Sequence, residues 1–425
     1  MTDQGLVPSS ILPAQDLQRA IANGWISAGH VGIPDEAVQP ASVDLRLGGV
    51  AWPLRCSFLP GSDTVRDKLR DYQMGEIDLT RGAVLEQNRP YLIPLAERLR
   101  LPAGVKARAN PRSSTGRLDV FTRVLVDRGQ HFDSIPDGYE GELFLEVVPR
   151  SFTIKVRTGN RLNQLWLLAG AAGVPDAELL ERHQRDPLVY APATVSPDES
   201  ALLSGGLFLS VDLSRTRRLQ YVGYRARKSS ALIDLDQTGR YEISDFWERV
   251  SADRDGRLIL EPEEFYLLVS RERVRIPPDY AAEMSAYEPT SGELRTHYAG
   301  FFDPGFGHVE GGDAPGTAAV LEVRAHDVSF ALEHGQRLCR LTFEKMQAAP
   351  DQAYGASIGS RYQRQYLALG RQFKASTTGE LQRGELQLFG DRPMDLQLVA
   401  SEPDVVPMPL ELTPSTGRRS GKSRR

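Results

Sequence analysis

The ten residues Asn110-Pro111-Arg112-Ser113-Ser114-Thr115-Gly116-Arg117-Leu118-Asp119 concentrate the groups that an anion needs. Two adjacent hydroxyls donate hydrogen bonds, two arginines offer charged forks, and Gly116 lets backbone N–H groups come close. A phosphate cradle is the chemistry such a stretch supports. Ser-Ser-Thr-Gly is also ordinary turn chemistry, so the weight of this stretch depends on what surrounds it.

The chain of 425 residues is long enough for two or three domains with real cores. A hydrophobic content of 40% and a charged content of 25% are those of a globular protein. The net charge of −5 speaks against a general nucleic-acid binder and against a membrane-surface protein, while leaving room for a local basic pocket. Cys56 and Cys339 stand too far apart in sequence for a ligand pair, and two cysteines make no disulfide framework. No apolar run reaches transmembrane length and no basic-then-apolar leader opens the chain, so a cytoplasmic location is expected.

The elements that must carry the cradle are mostly short β-prone runs split by Gly, Pro and Asp. Ser10–Asn23 reads as an amphipathic helix capped by Ser10 and ended by Gly24. Gln39–Gly48 alternates apolar and polar residues as a half-buried strand does, and similar runs are 89–94, 142–148, 152–156 and 162–168. Residues 174–186 predict one more helix, and Pro187–Ser204 reads as an inter-domain linker. The chain from about Ala375 lacks periodic signal and ends in a basic run, which predicts a flexible tail.

Beyond the linker the chain repeats itself. Tyr91–Pro102 (YLIPLAERLRLP) is echoed by Tyr266–Pro277 (YLLVSRERVRIP), a shift of 175 residues. Leu145-Glu146-Val147 is matched by Leu321-Glu322-Val323, and Gly159-Asn160-Arg161-Leu162 by Gly335-Gln336-Arg337-Leu338, a shift of 176. A period this long suits a duplicated β domain and not a solenoid. The expected fold is all-β, in two tandem modules at 1–190 and 191–372, followed by a tail at 373–425.

The copies differ where chemistry is concerned. Opposite Arg112–Arg117 the second copy carries Glu288-Pro-Thr-Ser-Gly-Glu293, so the serine pair is lost and both arginines become glutamates that repel phosphate. Conversely, Ala299-Gly-Phe-Phe-Asp303-Pro-Gly305 keeps an Asp-Pro-Gly turn, where the first copy places Pro136 opposite Asp303. Complementary losses predict one composite pocket where the copies meet. Asp44 and Asp212 hold equivalent places in both copies, which points to a shared architectural role.

With these motifs in place, the chain resembles the dUTPase/dCTP-deaminase superfamily, and more closely its duplicated bacterial dCTP deaminases. The resemblance rests on Ala41–Gly48, Arg112–Arg117, Ala299–Gly305, Val320–Val323 and His334–Leu338, and spans about residues 5–370. It implies distorted β-barrel (jelly-roll) modules, a nucleotide seated between neighbouring modules, and a homo-oligomer. It implies that Arg112, Ser113, Ser114 and Arg117 bind the triphosphate, with Mg²⁺ carried on the nucleotide. Glu322, downstream of the intact turn holding Ala299 and Asp303, is the implied catalytic glutamate, and Glu146 is its alternative. Gln336 fits the loop that supports the nucleotide. Tyr354, Arg361 and Gln365 match the family's closing arm, with arginine where lysine is commoner.

The activity so implied is hydrolytic deamination of dCTP to dUTP, a C–N bond hydrolysis. Pyrophosphate cleavage of dUTP by way of Asp303, a bifunctional site, and a non-catalytic dNTP sensor with dCTP, dUTP or dTTP as ligand are the alternatives. Read without the family, Glu322 equally fits a solvent-facing strand residue. A zinc route is not expected: His308-Val-Glu310 supplies the first half of the zinc-deaminase pattern, but no cysteine pair follows. Asp234-Leu-Asp236-Gln-Thr-Gly239 scans like a calcium loop without the flanking helices and reads as a polar connection. His297 reads as a structural histidine, and Tyr139 and Phe306 fit either a deoxyribose stack or the core.

Overall fold

The computed structural model describes residues 10–191, 199–214, 221–286, 294–296, 300–308, 316–325, 327–355, 367–374 and 392–399. Strands dominate, and the helices are few and short. Each copy folds as curled, mainly antiparallel sheets whose inward residues alternate with outward ones.

In the first copy, Glu140–Pro149 lies between Tyr91–Arg100 and Val120–Val126. A second sheet pairs Arg161–Ala169 with Val105–Pro111 and with Val43–Arg46. The second copy repeats this plan. Thr317–Ala325 pairs with Phe265–Val274, and Arg337–Lys345 with Tyr280–Ala286 and Leu207–Ser210. The duplication is visible in register: Glu146 faces Leu92 in one copy, and Glu322 faces Leu267 in the other.

The copies are not beads on a string. Ile154–Val156 of the first takes Ile233–Asp234 of the second as a parallel neighbour. Tyr224, Phe246, Trp247, Phe265 and Phe373 pack into the same cluster as the first copy's core. Elsewhere Trp166 stacks on Phe301 with ring centres 3.6 Å apart. Beside that stack Arg108 binds Glu283 and Glu344, and Asn110 donates to Glu283. This much shared apolar surface fixes the relative placement of the copies.

Two local expectations change. Ser10 does not cap a helix: Ser10–Ile11 pairs with Ala169 and Leu168, and the helix runs Ala14–Ala22, because Pro13 disfavours a helical residue before it. Within the segment expected as a tail, Arg392–Pro393 and Asp395–Leu398 join the second copy's sheets. Met394 is buried there, and its carbonyl bonds His183 Nε2 on the helix Asp176–Arg185. That apolar anchor supplies the burial that the polar flanks lack. Asp234 and Asp236 of the calcium-like loop are held by Arg157, and Asp234 also by Lys155.

Candidate active site

The strand Val105–Pro111 ends in Pro111, and the chain then turns through Ser113–Gly116. Thr115 and Gly116 N–H groups return to the Arg112 carbonyl, and Arg117 N–H returns to Ser113. Ser113 and Ser114, at the start of this turn, have no acceptor within it for their own N–H groups. Ser113, Ser114 and Arg112 are half-buried; Thr115, Gly116 and Arg117 are buried.

Against this turn lies Glu322, in the middle of Thr317–Ala325 on the other copy. A methyl group placed on Gly116 would sit 2.4 Å from Glu322 Oε2 and 2.7 Å from Oε1. Glycine is needed here for close approach, since its backbone is not left-handed. Glu322 is 8% exposed, and its Oε2 has no hydrogen-bond partner among the described residues. Burial pushes its carboxyl well above the usual range; Arg117 pulls it down and Asp119 pushes it further up. Arg117 Nη1 donates to the Ala368 carbonyl at 2.8 Å, so a second-copy segment closes over the turn.

Asp303 also reaches across. Its Oδ1 has no hydrogen-bond partner among the described residues, and burial raises its pKa to about 7. Asp44 adds to that rise, while the Ala41 N–H and Arg112 oppose it. Asp44 itself, 1% exposed, is held by Arg112 at 3.1 Å and by Arg161 at 3.9 Å, and burial still lifts it to about 6. The first copy thus supplies Asp44, Arg112 and the turn, and the second supplies Asp303 and Glu322. A shallow cleft opens beside Ser114 and Thr115, with Asn160, Arg161, Arg371 and Gln372 among its walls.

Other candidates fall elsewhere. Glu146 is buried, but Arg123 holds its Oε1 at 2.5 Å and stacks on Phe132, so it faces a cation of its own copy. Gln336 sits on the second copy's hairpin and accepts from Glu333 N–H; its counterpart Asn160 is the one lining the cleft. Tyr354 packs on Phe306 and donates its N–H to Pro304, next to the Asp303 turn. Ala299, Arg361, Gln365, His297 and the segment 288–293 lie outside the described residues. His308 is bound by Arg275.

Asp119, Arg324 and Arg371 also border this region, and none of the three carries a sequence signal for it. Asp44 and Asp212 are both buried at matching places, but their partners differ. Asp212 accepts from Ser214 in a local turn, whereas Asp44 grips arginines. Only the loss of the partner arginine at position 288 signalled this difference.

Residues 8–171 match the family model of the 2'-deoxycytidine 5'-triphosphate deaminase (DCD) N-terminal domain, and 175–373 match that of its C-terminal domain. A crystal structure of 2'-deoxycytidine 5'-triphosphate deaminase from Agrobacterium tumefaciens shares 46% identity at a TM-score of 0.74, over 80% of this chain and 100% of that one. A dCTP deaminase of Haloarcula marismortui is 36% identical over 127 residues, 29% of this chain and 60% of that protein. A Methanobrevibacter smithii protein named "dCTP deaminase, dUMP-forming" is 29% identical over 136 residues, 31% of this chain and 65% of that protein. The chain thus spans slightly less than two thirds of those two relatives. Two domain models in tandem order, and a solved structure aligned along its whole length, carry the assignment: this chain belongs to the 2'-deoxycytidine 5'-triphosphate deaminase family.

Proposed function

We propose that the chain deaminates dCTP to dUTP and ammonia at the junction of its copies, with Glu322 as the acid–base group. The observation that carries this reading is a buried, charge-suppressed carboxyl pressed against the glycine of an Arg-Ser-Ser-Thr-Gly-Arg turn. The substrate enters as its Mg²⁺ complex, the triphosphate taken by Ser113, Ser114, Arg112 and Arg117, and the ring directed to Glu322. Charge-assisted bonds from arginine suit a polyanion, and a neutral acid suits a neutral base.

Glu322 starts protonated and gives its proton to N3. The carboxylate so formed takes a proton from water as the oxygen bonds to C4. The same carboxyl then protonates the 4-amino group, the C4–N bond breaks, and ammonia leaves. The remaining hydroxyl proton returns to Glu322 as the C4 carbonyl forms. Atoms balance, and the enzyme ends in its starting state. Because the working form is the acid, kcat should fall as pH rises through the raised pKa of Glu322.

A second reading, in which dUTP is cleaved further to dUMP, is favoured by Asp303, half-buried with its Oδ1 shut off from solvent and Arg112 nearby. The test follows ammonia and pyrophosphate together. Glu322→Gln should abolish ammonia release from dCTP while leaving nucleotide binding. Ammonia release at the wild-type rate would remove Glu322 from the role. Pyrophosphate release from dUTP, lost in Asp303→Asn, would establish the second activity.

A further inference from the structure

Each copy holds a glutamate strand, so two combinations of turn and strand are available, yet the geometry favours one. The selecting feature lies beyond the cradle. Asp119 is fully buried and holds a left-handed backbone, φ 54°, unusual for a residue with a side chain. Its Oδ2 accepts from Ser151 Oγ at 2.5 Å and from Arg324 Nη2 of the other copy. Arg324 is 4% exposed in its side chain; its Nη1 donates to the Glu263 carbonyl, and its guanidinium lies over Phe265. Along Thr317–Ala325, Glu322 and Arg324 are two residues apart and share a face. Along the turn, Gly116 and Asp119 are joined by a backbone bond from Asp119 N–H to the Gly116 carbonyl. The turn therefore meets the strand at two points, Gly116 on Glu322 and Asp119 on Arg324.

We infer that Asp119 and Arg324 are positioning residues, an inter-copy clasp that holds the cradle at its working distance from Glu322 and commits the duplicated chain to this one combination of copies. The inference rests on the assignment of Glu322 above and extends it. The sequence supplies an independent argument. The counterpart of Arg324 in the first copy is Val148, and the position matching Asp119 in the second is Arg295. The reversed combination would bring an arginine position to a valine and could form no ion pair. Glu146, the glutamate of that reversed combination, is already engaged by Arg123. A buried pair missing one partner is strongly unfavourable, so the clasp discriminates between arrangements as well as holding one.

The pair also sets the field at Glu322. Arg117 and Asp119 face the Glu322 carboxyl, and Arg150 and Arg324 face Asp119. Removing Asp119's charge takes negative charge away from the neighbourhood of Glu322, and removing Arg324 takes positive charge away from it. The two changes must move Glu322 in opposite directions.

The experiment measures kcat and KM for dCTP against pH in the full chain for Asp119→Asn and Arg324→Gln. Asparagine at 119 keeps an acceptor for Ser151. Both variants should lose roughly tenfold or more in kcat with a smaller change in KM, since the cradle survives but is displaced. The alkaline limb of kcat should move to lower pH in Asp119→Asn and to higher pH in Arg324→Gln. A merely structural pair would give limbs that stay in place or move together, and either result overturns the inference. If either variant is too unstable to assay, a denaturant double-mutant cycle between 119 and 324 decides, and additive effects would refute the clasp. Glu322→Gln run alongside separates the two levels. An active Glu322→Gln sinks the assignment of Glu322, whereas an inactive one with unmoved limbs sinks only the clasp.

Discussion

Gly116→Ala is the sharpest probe of the site, because one methyl group is aimed at one carboxyl. The new Cβ would lie 2.4 Å from Glu322 Oε2, 2.7 Å from Oε1 and 2.8 Å from the carboxyl carbon, where ordinary contact begins at 3.4 Å. Glu322 must then retreat by about 1 Å, into a buried strand that offers little slack. Overpacking of this kind costs about 1–3 kcal/mol. A displacement of about 1 Å at the reacting centre can cost about 100-fold in rate. The backbone does not confuse the result. Gly116 has no left-handed torsion, so alanine by itself would stabilise the chain by about 0.4–1 kcal/mol. The assay is kcat and KM for ammonia release from dCTP, with the urea midpoint measured in parallel. Glu322→Asp provides the control: a carboxyl one methylene shorter leaves room for the methyl. Gly116→Ala should therefore destabilise the wild-type background and have little effect on, or stabilise, the Glu322→Asp background, a coupling of about 1 kcal/mol or more. Wild-type kcat in Gly116→Ala, or additive stabilities, would refute the contact as described.

Three further outcomes follow from single observations. Asp303 rises from 3.8 to about 7 on folding, so ionising it in the fold costs stability that grows as pH rises from about 4 to 7 and is then constant. Asp303→Asn should match wild type near pH 4 and be more stable by up to about 4 kcal/mol at pH 8, checked by urea titration at both; a pH-independent difference would contradict the raised pKa. Trp166→Ala removes the ring stacked on Phe301 between the copies and should cost about 3–5 kcal/mol, seen as a lower calorimetric Tm or a split transition. Glu146→Gln should keep ammonia release within about twofold while lowering the urea midpoint, because Arg123 loses its carboxylate; loss of deamination would return Glu146 to the chemistry.

Much of this is legible in the sequence. The 175–176-residue echo fixed an all-β duplicated plan, and the register confirms it, with Glu146 and Glu322 at matching rungs. The turn proposed to hold the triphosphate was readable because its chemistry is local: hydroxyls, glycine and arginines adjoin along the chain. The complementary losses at Arg112–Arg117 and Pro136 pointed to a site spanning the copies, and Glu322 does lie on Gly116. Harder to read were partners whose meaning is non-local. Asp44 resembled Asp212 in sequence, yet Asp44 meets Arg112 across the fold while Asp212 holds Ser214 in a local turn. Gln336 matched a nucleotide-supporting loop, yet its twin Asn160 lines the cleft, because a duplicated motif does not announce which copy faces inward.

The sequence alone determined the repeated strand pattern, the cradle and the two glutamates, since alternation, turn chemistry and charge are properties of neighbours along the chain. Only the tertiary structure decided which glutamate meets the cradle, and that Asp119 and Arg324, 205 residues apart, close on each other. The reason is physical. A buried charge is tolerable only where packing brings its partner, and that depends on how two nearly equivalent surfaces dock.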